Sequence, residues 1–562
     1  MKRLLVVVIV LMSGLSACAH KPAVSSSQAV ASAHPAATKA GIDILNKGGN
    51  AFDAAVAVSA ALAVVEPYGS GVGGGGFWLL HRSSDGKQVM VDGREVAPLK
   101  AHRDMYLDAD GEPIKSASVD GALSAGIPGM PAALVHLSTN YGRLALKDTL
   151  LPAIKLAEEG FAVNEHYHRL ANFRQPALNA TKASRVIFLD EGNVPEIGKE
   201  IIQTDLAKTL GLLSEKGFDG FYKGKLAEQL VEGVQQAGGI WTKEDLANYR
   251  IKEREPVVIE YKGMKITSAA LPSSGGLVLS IALNILEQYD IASMDQTTRI
   301  HVVVEAMRRA YRDRALYMGD SDFVDVPVNT LTKKSYALSM SKNLKLETAT
   351  PSLDLTGLNE IEGHDTTHFS ILDKEGNRVS ATLSVNYPFG SGFVPEGTGV
   401  LLNDEMDDFS MKPGTPNVYG LVGGTANAIE PGKRMLSSMS PTFIESKDYI
   451  GILGTPGGSR IISMVLLGIL EAAEGKGPAE WVALPRYHHQ YLPDVIQHEP
   501  GALSEGVVSA LKKKGHAFKS VGRQYGNMHA IMQDIRVNKV SVASDPRGGG
   551  VAVVETIEEL KE

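Results

Sequence analysis

Three short turns, each flanked by apolar runs, constrain the fold of this chain more than any other feature of its sequence. The turns lie at residues 83–87, 262–263 and 373–377. Their flanking runs are 77–81 with 88–92, 257–261 with 264–269, and 368–372 with 379–385. A connection this short joins antiparallel strands, so each pair predicts a β-hairpin. In the third pair, alternating apolar and polar residues predict strands with one buried face.

Helical segments surround these hairpins. Residues 39–47 and 51–65 are predicted as helices divided by a glycine pair, and the region from about 132 to 345 is mainly helical. Helices around antiparallel strand pairs are typical of an α+β layered fold and not of a doubly wound parallel sheet. The glycine-rich run 67–77 lacks the Gly-Lys-Ser/Thr ending of a phosphate-binding loop, so we interpret it as a place where backbone approaches backbone or substrate.

The first 18 residues predict export. Lys2 and Arg3 precede a short apolar run, which is followed by Leu15-Ser-Ala-Cys18. A charged start, a short apolar core and small residues before a cleavage point are typical of a secretory signal, whereas a membrane span needs about 20 apolar residues. The Leu-Ser-Ala-Cys ending resembles a bacterial lipoprotein signal, in which the cysteine becomes the lipidated first residue.

We therefore expect a lipoprotein-type signal peptide over residues 1–18, a flexible tether over 19–36, and membrane contact only through a lipid on Cys18. Ala19 is similar to the residue that follows the cysteine in outer-membrane lipoproteins, which favours a periplasmic protein anchored there. The alternative is an ordinary signal with an incidental cysteine, which gives a soluble periplasmic or secreted protein. Cys18 is the only cysteine, which excludes an intramolecular disulfide, and the net charge of -8 argues against a nucleic-acid partner.

The segment Gly363-His-Asp-Thr-Thr-His368 places a threonine where an apolar strand begins, after a polar stretch that we expect to be an exposed loop. A threonine hydroxyl becomes an effective nucleophile beside a base, and its own free α-amino group, which titrates at about pH 7.7–8.0, is one such base. That amine is freed only if the peptide bond between Asp365 and Thr366 is cut. Taken alone, the pattern favours an ordinary strand start.

Further motifs make the sequence resemble the gamma-glutamyltranspeptidase family from about residue 37 to the C-terminus. In family order and at similar spacing, they are Gly93-Arg-Glu-Val-Ala-Pro98, Asp365-Thr-Thr-His368, Thr382-Leu-Ser-Val-Asn386, Leu402-Asn-Asp-Glu-Met-Asp-Asp-Phe-Ser410, Lys433-Arg-Met-Leu-Ser-Ser-Met-Ser-Pro441 and Gly454-Thr-Pro-Gly-Gly-Ser-Arg460. The resemblance implies an N-terminal-nucleophile hydrolase fold, an αββα sandwich of two antiparallel sheets between helical layers. It also implies two autoprocessed fragments, large (37–365) and small (366–562), that form a heterodimer.

The resemblance assigns catalytic roles to four positions. Thr366 would attack the carbonyl of Asp365 to cut the chain, and would afterwards be the catalytic nucleophile. Ser384 would hydrogen-bond the nucleophile, although the family usually has threonine at this position. Gly457 and Gly458, which precede a predicted helix, would donate backbone N–H groups to the developing oxyanion.

The resemblance also assigns substrate-binding roles, because a gamma-glutamyl group carries one free carboxylate and one free ammonium. The implied partners of the carboxylate are Arg94, through a bidentate fork, and the hydroxyls of Ser437 and Ser438. The implied partners of the ammonium are Asp408, Asn386 and Glu405. Tyr419, in a stretch that resembles the family's substrate-covering loop, would act as a lid.

The implied activity is attack on glutathione and other gamma-glutamyl amides, with the acyl-enzyme resolved by water, an amino acid or a dipeptide, and with no metal or organic cofactor. One alternative is a related glutaryl or cephalosporin acylase, which needs less from an ammonium site. Another is a non-catalytic envelope lipoprotein that retains the fold and stays uncut. The adjacent His488 and His489 could bind a metal, but no third ligand stands at a recognisable spacing, so a packing role is favoured.

Overall fold

The computed structural model describes Ser25, residues 27–352 and residues 366–556. The expected signal peptide, the lipidation of Cys18 and the cleavage-site residue Asp365 lie outside the described residues. Within the described part of the chain, no helix is both long and apolar enough to cross a membrane.

Strands and helices are distributed along the whole described chain. The strands are β1 (Ser27–Ser32), β2 (Gly75–Arg82), β3 (Lys87–Gly93), β4 (Phe161–Ala162), β5 (Glu200–Ile201), β6 (Lys252–Arg254), β7 (Val257–Tyr261), β8 (Met264–Ser268), β9 (Thr367–Leu372), β10 (Arg378–Ser384), β11 (Thr442–Glu445), β12 (Tyr449–Gly454), β13 (Tyr487–His488), β14 (Ile496–His498), β15 (Phe518–Ser520), β16 (His529–Asp534), β17 (Lys539–Ser544) and β18 (Val551–Thr556). The α-helices are α1 (Pro35–Asn46), α2 (Ala51–Val65), α3 (Met130–Asn140), α4 (Leu146–Glu159), α5 (Glu165–Asn179), α6 (Lys182–Phe188), α7 (Thr204–Lys216), α8 (Phe218–Tyr222), α9 (Gly224–Gln236), α10 (Lys243–Asn248), α11 (Gly275–Leu286), α12 (Gln296–Tyr317), α13 (Val328–Leu331), α14 (Lys334–Ser341), α15 (Ile461–Ala473), α16 (Pro478–Ala483) and α17 (Glu505–Lys513). All three predicted hairpins are present, as β2–β3, β7–β8 and β9–β10.

The larger of the two main sheets has seven strands in the order β18-β1-β9-β10-β2-β3-β6, and every neighbouring pair is antiparallel. Strand β9 lies in its interior, between β1 and β10. Strand β1, which precedes Thr366 in the chain, therefore lies between β18 and β9, which follow it, and β10 is paired with β2 from the earlier part of the chain. The sheet cannot form from either part of the chain alone.

The second main sheet has six strands in the order β17-β16-β12-β11-β8-β7, again all antiparallel. It lies against the first sheet, since Ser370 Oγ donates to the carbonyl of His529 at 3.1 Å and Ser380 Oγ donates to the carbonyl of Leu453 at 3.1 Å. These bonds join β9 and β10 of the first sheet to β16 and β12 of the second.

Two hydrophobic cores lie on opposite faces of the first sheet. Trp78 and Leu80 of β2 belong to one core with α2 and α4, whereas Phe77 and Leu79 belong to the other, with the second sheet, α11, α12 and α15. This alternation follows from the two-residue repeat of a β-strand. The layers are helix, sheet, sheet and helix, which confirms the predicted αββα architecture.

The prediction that β9 and β10 have only one buried face is wrong. All residues of both strands are buried. The polar residues that suggested a solvent-facing side point between the two sheets, where His368 Nδ1 lies 2.9 Å from Thr382 Oγ1. Hydrogen bonds within the sheet and to the second sheet satisfy these groups, so an alternating pattern here marks a polar interior layer.

The predicted tether is also wrong in its second part. Ser27–Ser32 forms β1, every residue of which is buried, and it pairs with both β18 and β9. Helix α1 then begins at Pro35. The serine and alanine residues that suggested a flexible linker are small enough to lie between packed layers, and the two flanking strands supply their backbone hydrogen bonds.

The glycine-rich run before β2 permits a close approach of backbone segments, as predicted. A Cβ atom on Gly73 would lie 2.0 Å from the carbonyl oxygen of Leu401, and one on Gly74 would lie 2.1 Å from that of Ser384. A buried backbone carbonyl group cannot move far enough to make room for such a Cβ atom, so only glycine fits at these two positions. The run therefore fixes the segment that carries Ser384 against the start of β2.

Candidate active site

Thr366 directly precedes the interior strand β9 and is buried, with 9% of its surface exposed. Among the described residues, it alone lines both of two neighbouring cavities. The first cavity is lined by Arg94, Asp408 and Ser438 among others, and the second by Arg169 and Arg523 among others. A threonine at this position can therefore face two different groups of one molecule.

Arg94 dominates the first cavity. It follows the last residue of β3, as the sequence predicts, and its side chain is buried. Its Nη1 lies 2.5 Å from Oε2 of Glu405, and its Nη2 lies 2.5 Å from Oδ2 of Asp408. In this structure the arginine that the sequence assigns to a carboxylate is thus paired with two side chains assigned to an ammonium.

Carboxyl groups outnumber cations around Arg94. Burial raises the pKa of Glu405 to about 7, although the charge of Arg94 opposes this shift. Burial likewise raises the pKa of Glu95 well above its usual range, and Glu95 Oε2 lies 3.6 Å from Arg94 Nη1. One guanidinium therefore faces three carboxyl groups, counting Asp408. A positive group placed against Glu405 would favour its ionised form.

Ser437 and Ser438 line the same cavity from the segment that leads into β11. Ser438 Oγ accepts a hydrogen bond from Nη2 of Arg314 at 3.4 Å, and Arg314 Nε donates to Ser274 Oγ at 3.0 Å. Arg314 lies on α12 and is buried, and burial lowers its pKa. A second buried cation therefore stands behind the serine pair.

Ser384 and Asn386 are held at the end of β10. Ser384 is the last residue of the strand, and its Oγ accepts a hydrogen bond from the backbone N–H of Asn386 at 2.8 Å. Asn386 has a φ of 73°, and its side-chain amide donates to the carboxylate of Asp404 at 3.2 Å. Both residues line the first cavity together with Thr366.

Tyr419 lies over the first cavity. Its segment folds back on itself through an antiparallel bridge between Pro416 and Val422. The hydroxyl of Tyr419 donates to the carbonyl of Asn386 at 2.5 Å. Its ring lies so close to Gly458 that a Cβ there would be 2.5 Å from a ring carbon. The lid role remains a prediction, and this position is compatible with it.

The adjacent glycines Gly457 and Gly458 line different cavities, and Thr366 lines both. Gly457 lines the second cavity and Gly458 the first. Their φ values of 143° and 54° lie in the region that favours glycine. The short 3₁₀ turn Gly458–Arg460 follows, and α15 begins at Ile461, which confirms the helix predicted after the glycine pair. The donation of these backbone N–H groups to an oxyanion stays a prediction.

The sequence interpretation missed Glu95 and Arg314. Glu95 follows Arg94 in the motif Gly93-Arg-Glu-Val-Ala-Pro98, and this adjacency could have indicated that it belongs to the site. Arg314 lies on α12, which carries several arginines, and arginine-rich helix faces are usually solvated, so its burial could not be expected from the sequence. The described candidate residues otherwise line the first cavity together, except Gly457, which lines the second.

Two histidine groups lie outside these cavities. His488 and His489 are buried and hydrogen-bonded, to Ser463 at 2.8 Å and Asp494 at 3.1 Å respectively, as their predicted packing role requires. Ligand atoms of His301, Glu305 and His516 lie within 4.8 Å of one another. However, the Glu305 carboxylate already accepts hydrogen bonds from two arginines of α12, Arg308 and Arg309. This positive charge makes the cluster unfavourable for a metal cation.

Comparisons with known proteins relate the chain to one protein family. Residues 37–555 match the family model described as Gamma-glutamyltranspeptidase. The glutathione hydrolase proenzyme of Escherichia coli (strain K12) is 43% identical over 526 residues, covering 92% of this chain and 90% of the relative. The glutathione hydrolase proenzyme of Pseudomonas aeruginosa is 41% identical, covering 94% of each chain.

Two solved structures relate to the chain in different ways. The cephalosporin acylase from Bacillus halodurans has a TM-score of 0.82 and 27% identity, covering 94% of this chain and 96% of that chain. The gamma-glutamyltranspeptidase of Helicobacter pylori has a TM-score of 0.56 and 42% identity, covering 57% of this chain and 92% of that chain. The overall architecture is thus shared with an acylase, while the sequence is more similar to the transpeptidase.

The charge balance around Arg94 leads to a stability prediction. We expect Arg94→Met to lower the free energy of unfolding by about 3–5 kcal/mol, because it leaves buried carboxyl groups without their counter-charge. Without the arginine, the pKa of Glu405 in the folded state rises further above its unfolded value of about 4.3, so the loss should be larger at pH 8 than at pH 5. Urea unfolding at both pH values measures this difference.

The matched control is the double variant Arg94→Met with Glu405→Gln, which removes one of the stranded carboxyl groups. It should recover part of the lost stability at pH 8 and less at pH 5. Equal losses at the two pH values, with no recovery in the double variant, would contradict the charge-balance interpretation.

Proposed function

Because the chain belongs to the gamma-glutamyltranspeptidase family, we propose that Thr366 is both the residue before which it cuts itself and its catalytic nucleophile. The chain is an autoprocessing gamma-glutamyltransferase and glutathione hydrolase. The observation that carries the assignment is the position of Thr366 at the start of β9, where it lines the Arg94 cavity and also borders Gly457.

Self-cleavage begins when the hydroxyl of Thr366 attacks the carbonyl carbon of Asp365. The peptide C–N bond breaks, the nitrogen takes up the hydroxyl proton, and an ester joins the two residues. Water then hydrolyses the ester, which leaves a carboxylate on Asp365 and a free α-amine on Thr366. The products are the large fragment 37–365 and the small fragment 366–562. Both fragments contribute strands to each main sheet, which supports a stable heterodimer.

In catalysis the free amine of Thr366 accepts the hydroxyl proton while the oxygen attacks the gamma-carbonyl carbon of the substrate. The backbone N–H groups of Gly457 and Gly458 stabilise the oxyanion, and losing one such donor typically costs about 3 kcal/mol. The leaving amine takes the proton as the amide bond breaks. The resulting ester on Thr366 is then resolved by water or by a second amine. Ser384 orients the nucleophile from the end of β10.

The substrate exchanges partners with the charged groups of the first cavity. Its carboxylate takes Arg94, aided by Ser437 and Ser438, and its ammonium takes Asp408 with Glu405 and Asn386. Each buried charge then still has a partner, so the exchange avoids stranding a charge in the protein. Glutathione and related gamma-glutamyl amides carry this pair of charges at the required end.

The location of the enzyme is a further part of the proposal. The signal-like start of the chain supports export to the bacterial periplasm, with Cys18 as a lipid attachment point on the outer membrane. An unlipidated periplasmic or secreted form is the alternative.

A relative named Acylase ACY 1 proenzyme, from Pseudomonas sp. (strain SE83), is 36% identical over 92% of this chain, so a glutaryl or cephalosporin acylase is the second candidate function. A glutaryl group has a free carboxylate where a gamma-glutamyl group has its alpha-carboxylate, but it has no ammonium. The carboxyl groups of Asp408 and Glu405, which contact Arg94, are acceptors that a substrate ammonium can use and a glutaryl group cannot. This pair of acceptors is the observation that ranks the acylase second.

Thr366→Ala should abolish both self-cleavage and activity, because it removes the attacking oxygen of both reactions. We expect a single full-length band on a denaturing gel and no release from a chromogenic gamma-glutamyl anilide, whereas the wild type gives two fragments and release. Thr297→Ala, on the distant helix α12, serves as the control and should behave as wild type. Cleavage at the same place in Thr366→Ala would overturn the assignment, as would an uncut wild-type chain.

Asp408→Asn should raise KM for the gamma-glutamyl anilide on the order of 10–100-fold, because it removes a charged partner of the ammonium. KM for the corresponding glutaryl anilide should change little, since that substrate has no ammonium. Steady-state kinetics on both anilides, beside the exposed control Asp110→Asn, measures the difference. A wild type that prefers the glutaryl anilide would favour the acylase instead.

A further inference from the structure

Residues 349–352, which end the described stretch before Thr366, are bound by a cluster of four charged side chains that we call the α12 clamp. Its members are Glu305, Arg308 and Arg309 of α12 and Asp494 of the loop between β13 and β14. The three α12 side chains are buried, and Asp494 is half-buried. The clamp lines neither of the two cavities beside Thr366, so none of the roles proposed above uses it.

Thr350 is bound by two members of the clamp. Its backbone N–H donates to Oε1 of Glu305 at 3.0 Å, and its Oγ1 accepts a hydrogen bond from Nη2 of Arg309 at 3.1 Å. Oε2 of Glu305 accepts from Nη1 of Arg309 at 2.5 Å, so the carboxylate and the guanidinium hold each other in place. Hydrogen bonds to charged groups are stronger than those between neutral groups, which makes this a firm attachment.

Ser352 is bound by the other two members. Its backbone N–H donates to Oδ2 of Asp494 at 2.7 Å, and its Oγ accepts a hydrogen bond from Nη1 of Arg308 at 2.7 Å. Arg308 also pairs directly with Asp494. Burial raises the pKa of Asp494, but hydrogen bonds from His489 and Ser352 and the charge of Arg308 outweigh it and hold that pKa well below its ordinary value. Asp494 is therefore a charged acceptor at neutral pH.

The clamp joins the two expected fragments. Residues 349–352 and α12 precede Thr366 in the chain, whereas Asp494 follows it. One further bond crosses the same boundary, since the backbone N–H of Ala349 donates to the carbonyl of Lys514 at 2.7 Å. Residues 349–352 are thus tied both to a helix of the larger fragment and to the smaller fragment.

We propose that the α12 clamp positions the cleavage site, and that by fixing Ser352 it speeds the attack of Thr366 on Asp365. The inference rests on the proposed self-cleavage. Ser352 precedes Thr366 by 14 residues, and β9 fixes the chain directly after Thr366. A connection with both ends fixed has fewer accessible conformations than one with a single fixed end, so the reacting groups meet more often. The clamp members are positioning residues, because they act through the chain that they hold.

The rate of self-cleavage tests the proposal. The full chain is synthesised by cell-free translation and sampled over time on a denaturing gel. Arg308→Gln and Asp494→Asn should each slow cleavage on the order of 10–100-fold, because small displacements of reacting groups have effects of this size. Arg308→Lys keeps the positive charge and should cleave faster than Arg308→Gln, and Ser352→Ala, which loses one hydrogen bond, should be slowed least. Once processed, each variant should show the wild-type kcat/KM for the gamma-glutamyl anilide, whereas a general loss of structure would lower it.

A disulfide in place of the clamp separates a holding role from other structural roles. The double variant Ser352→Cys with Asp494→Cys loses the bonds between Ser352 and the clamp, so under reducing conditions its cleavage should be slow. Diamide, which oxidises the two thiols to a disulfide, should raise the rate toward that of the wild type. The fragments of the oxidised protein should then migrate as one band without reductant and as two bands with it. Cys18 is the only native cysteine, so Ser352→Cys alone is the control and should not respond to diamide.

Arg312→Gln removes an arginine of the same helix that lies outside the clamp, and it should cleave at the wild-type rate. Wild-type rates in Arg308→Gln and Asp494→Asn would overturn this inference and leave the proposed function standing. Slow cleavage that the disulfide does not speed would also overturn it. If Arg308→Gln does not fold, Ser352→Ala decides, and a wild-type rate in that variant counts against the proposal. A wild-type chain that is never cut would overturn the proposed function itself.

Discussion

The pairing of β9 between β1 and β10 is the constraint on which the rest of the molecule depends. A strand with neighbours on both sides and layers on both faces cannot shift its register without moving buried groups to the wrong face. The residue at its start is therefore held as firmly as the sheet itself. Adjacent antiparallel strands bring their opposite ends to the same edge, so the end of β10 and the end of β3 lie near the start of β9. Ser384 and Arg94 thereby reach Thr366 from distant parts of the sequence.

The charged groups behind this edge show how a polar site is kept in a buried place. Arg94 is buried. Its Nη1 lies 2.5 Å from Glu405 Oε2 and its Nη2 lies 2.5 Å from Asp408 Oδ2. A lone buried guanidinium or carboxylate would cost several kcal/mol. A substrate with a carboxylate and an ammonium gives a new partner both to the arginine and to the acidic side chains. A substrate with only a carboxylate leaves an acidic side chain without a partner. Discrimination between such substrates thus arises from desolvation as well as from direct contact.

Much of the fold could be predicted from local sequence, because turn residues and periodicity act over a few positions. The hairpin β7–β8 and helix α2 agree closely with their predictions. The errors came from tertiary context. A serine-rich segment such as β1 is a strand only because β9 and β18 flank it. The polar positions of β9 suggested solvent, since the sequence gives no sign that a second sheet covers them.

The site was predicted in a similar way, one residue at a time. Motif matches named Arg94, Asp408 and the glycine pair, but they gave no indication that the arginine and the acids pair with each other. Neither the burial of Arg314 nor the second cavity could be predicted from the sequence, because each depends on which helices and loops pack together in the folded chain. Arg169 and Arg523 are separated by more than three hundred residues and belong to no shared motif. Their proximity to one cavity is a property of the folded chain only.

The alternation of strands on either side of Thr366 has a consequence for the lifetime of the enzyme. Before the cut, the chain folds as one covalent unit, and the loop closures that bring distant strands together are intramolecular. After the cut, the two pieces would have to associate and re-form the four strand pairings that join them, β18–β1, β1–β9, β10–β2 and β11–β8, at a rate that depends on concentration. The mature enzyme is thus expected to persist through slow unfolding and not through a reversible equilibrium. Reassembly of separated pieces is therefore expected to be slower than the first folding of the intact chain.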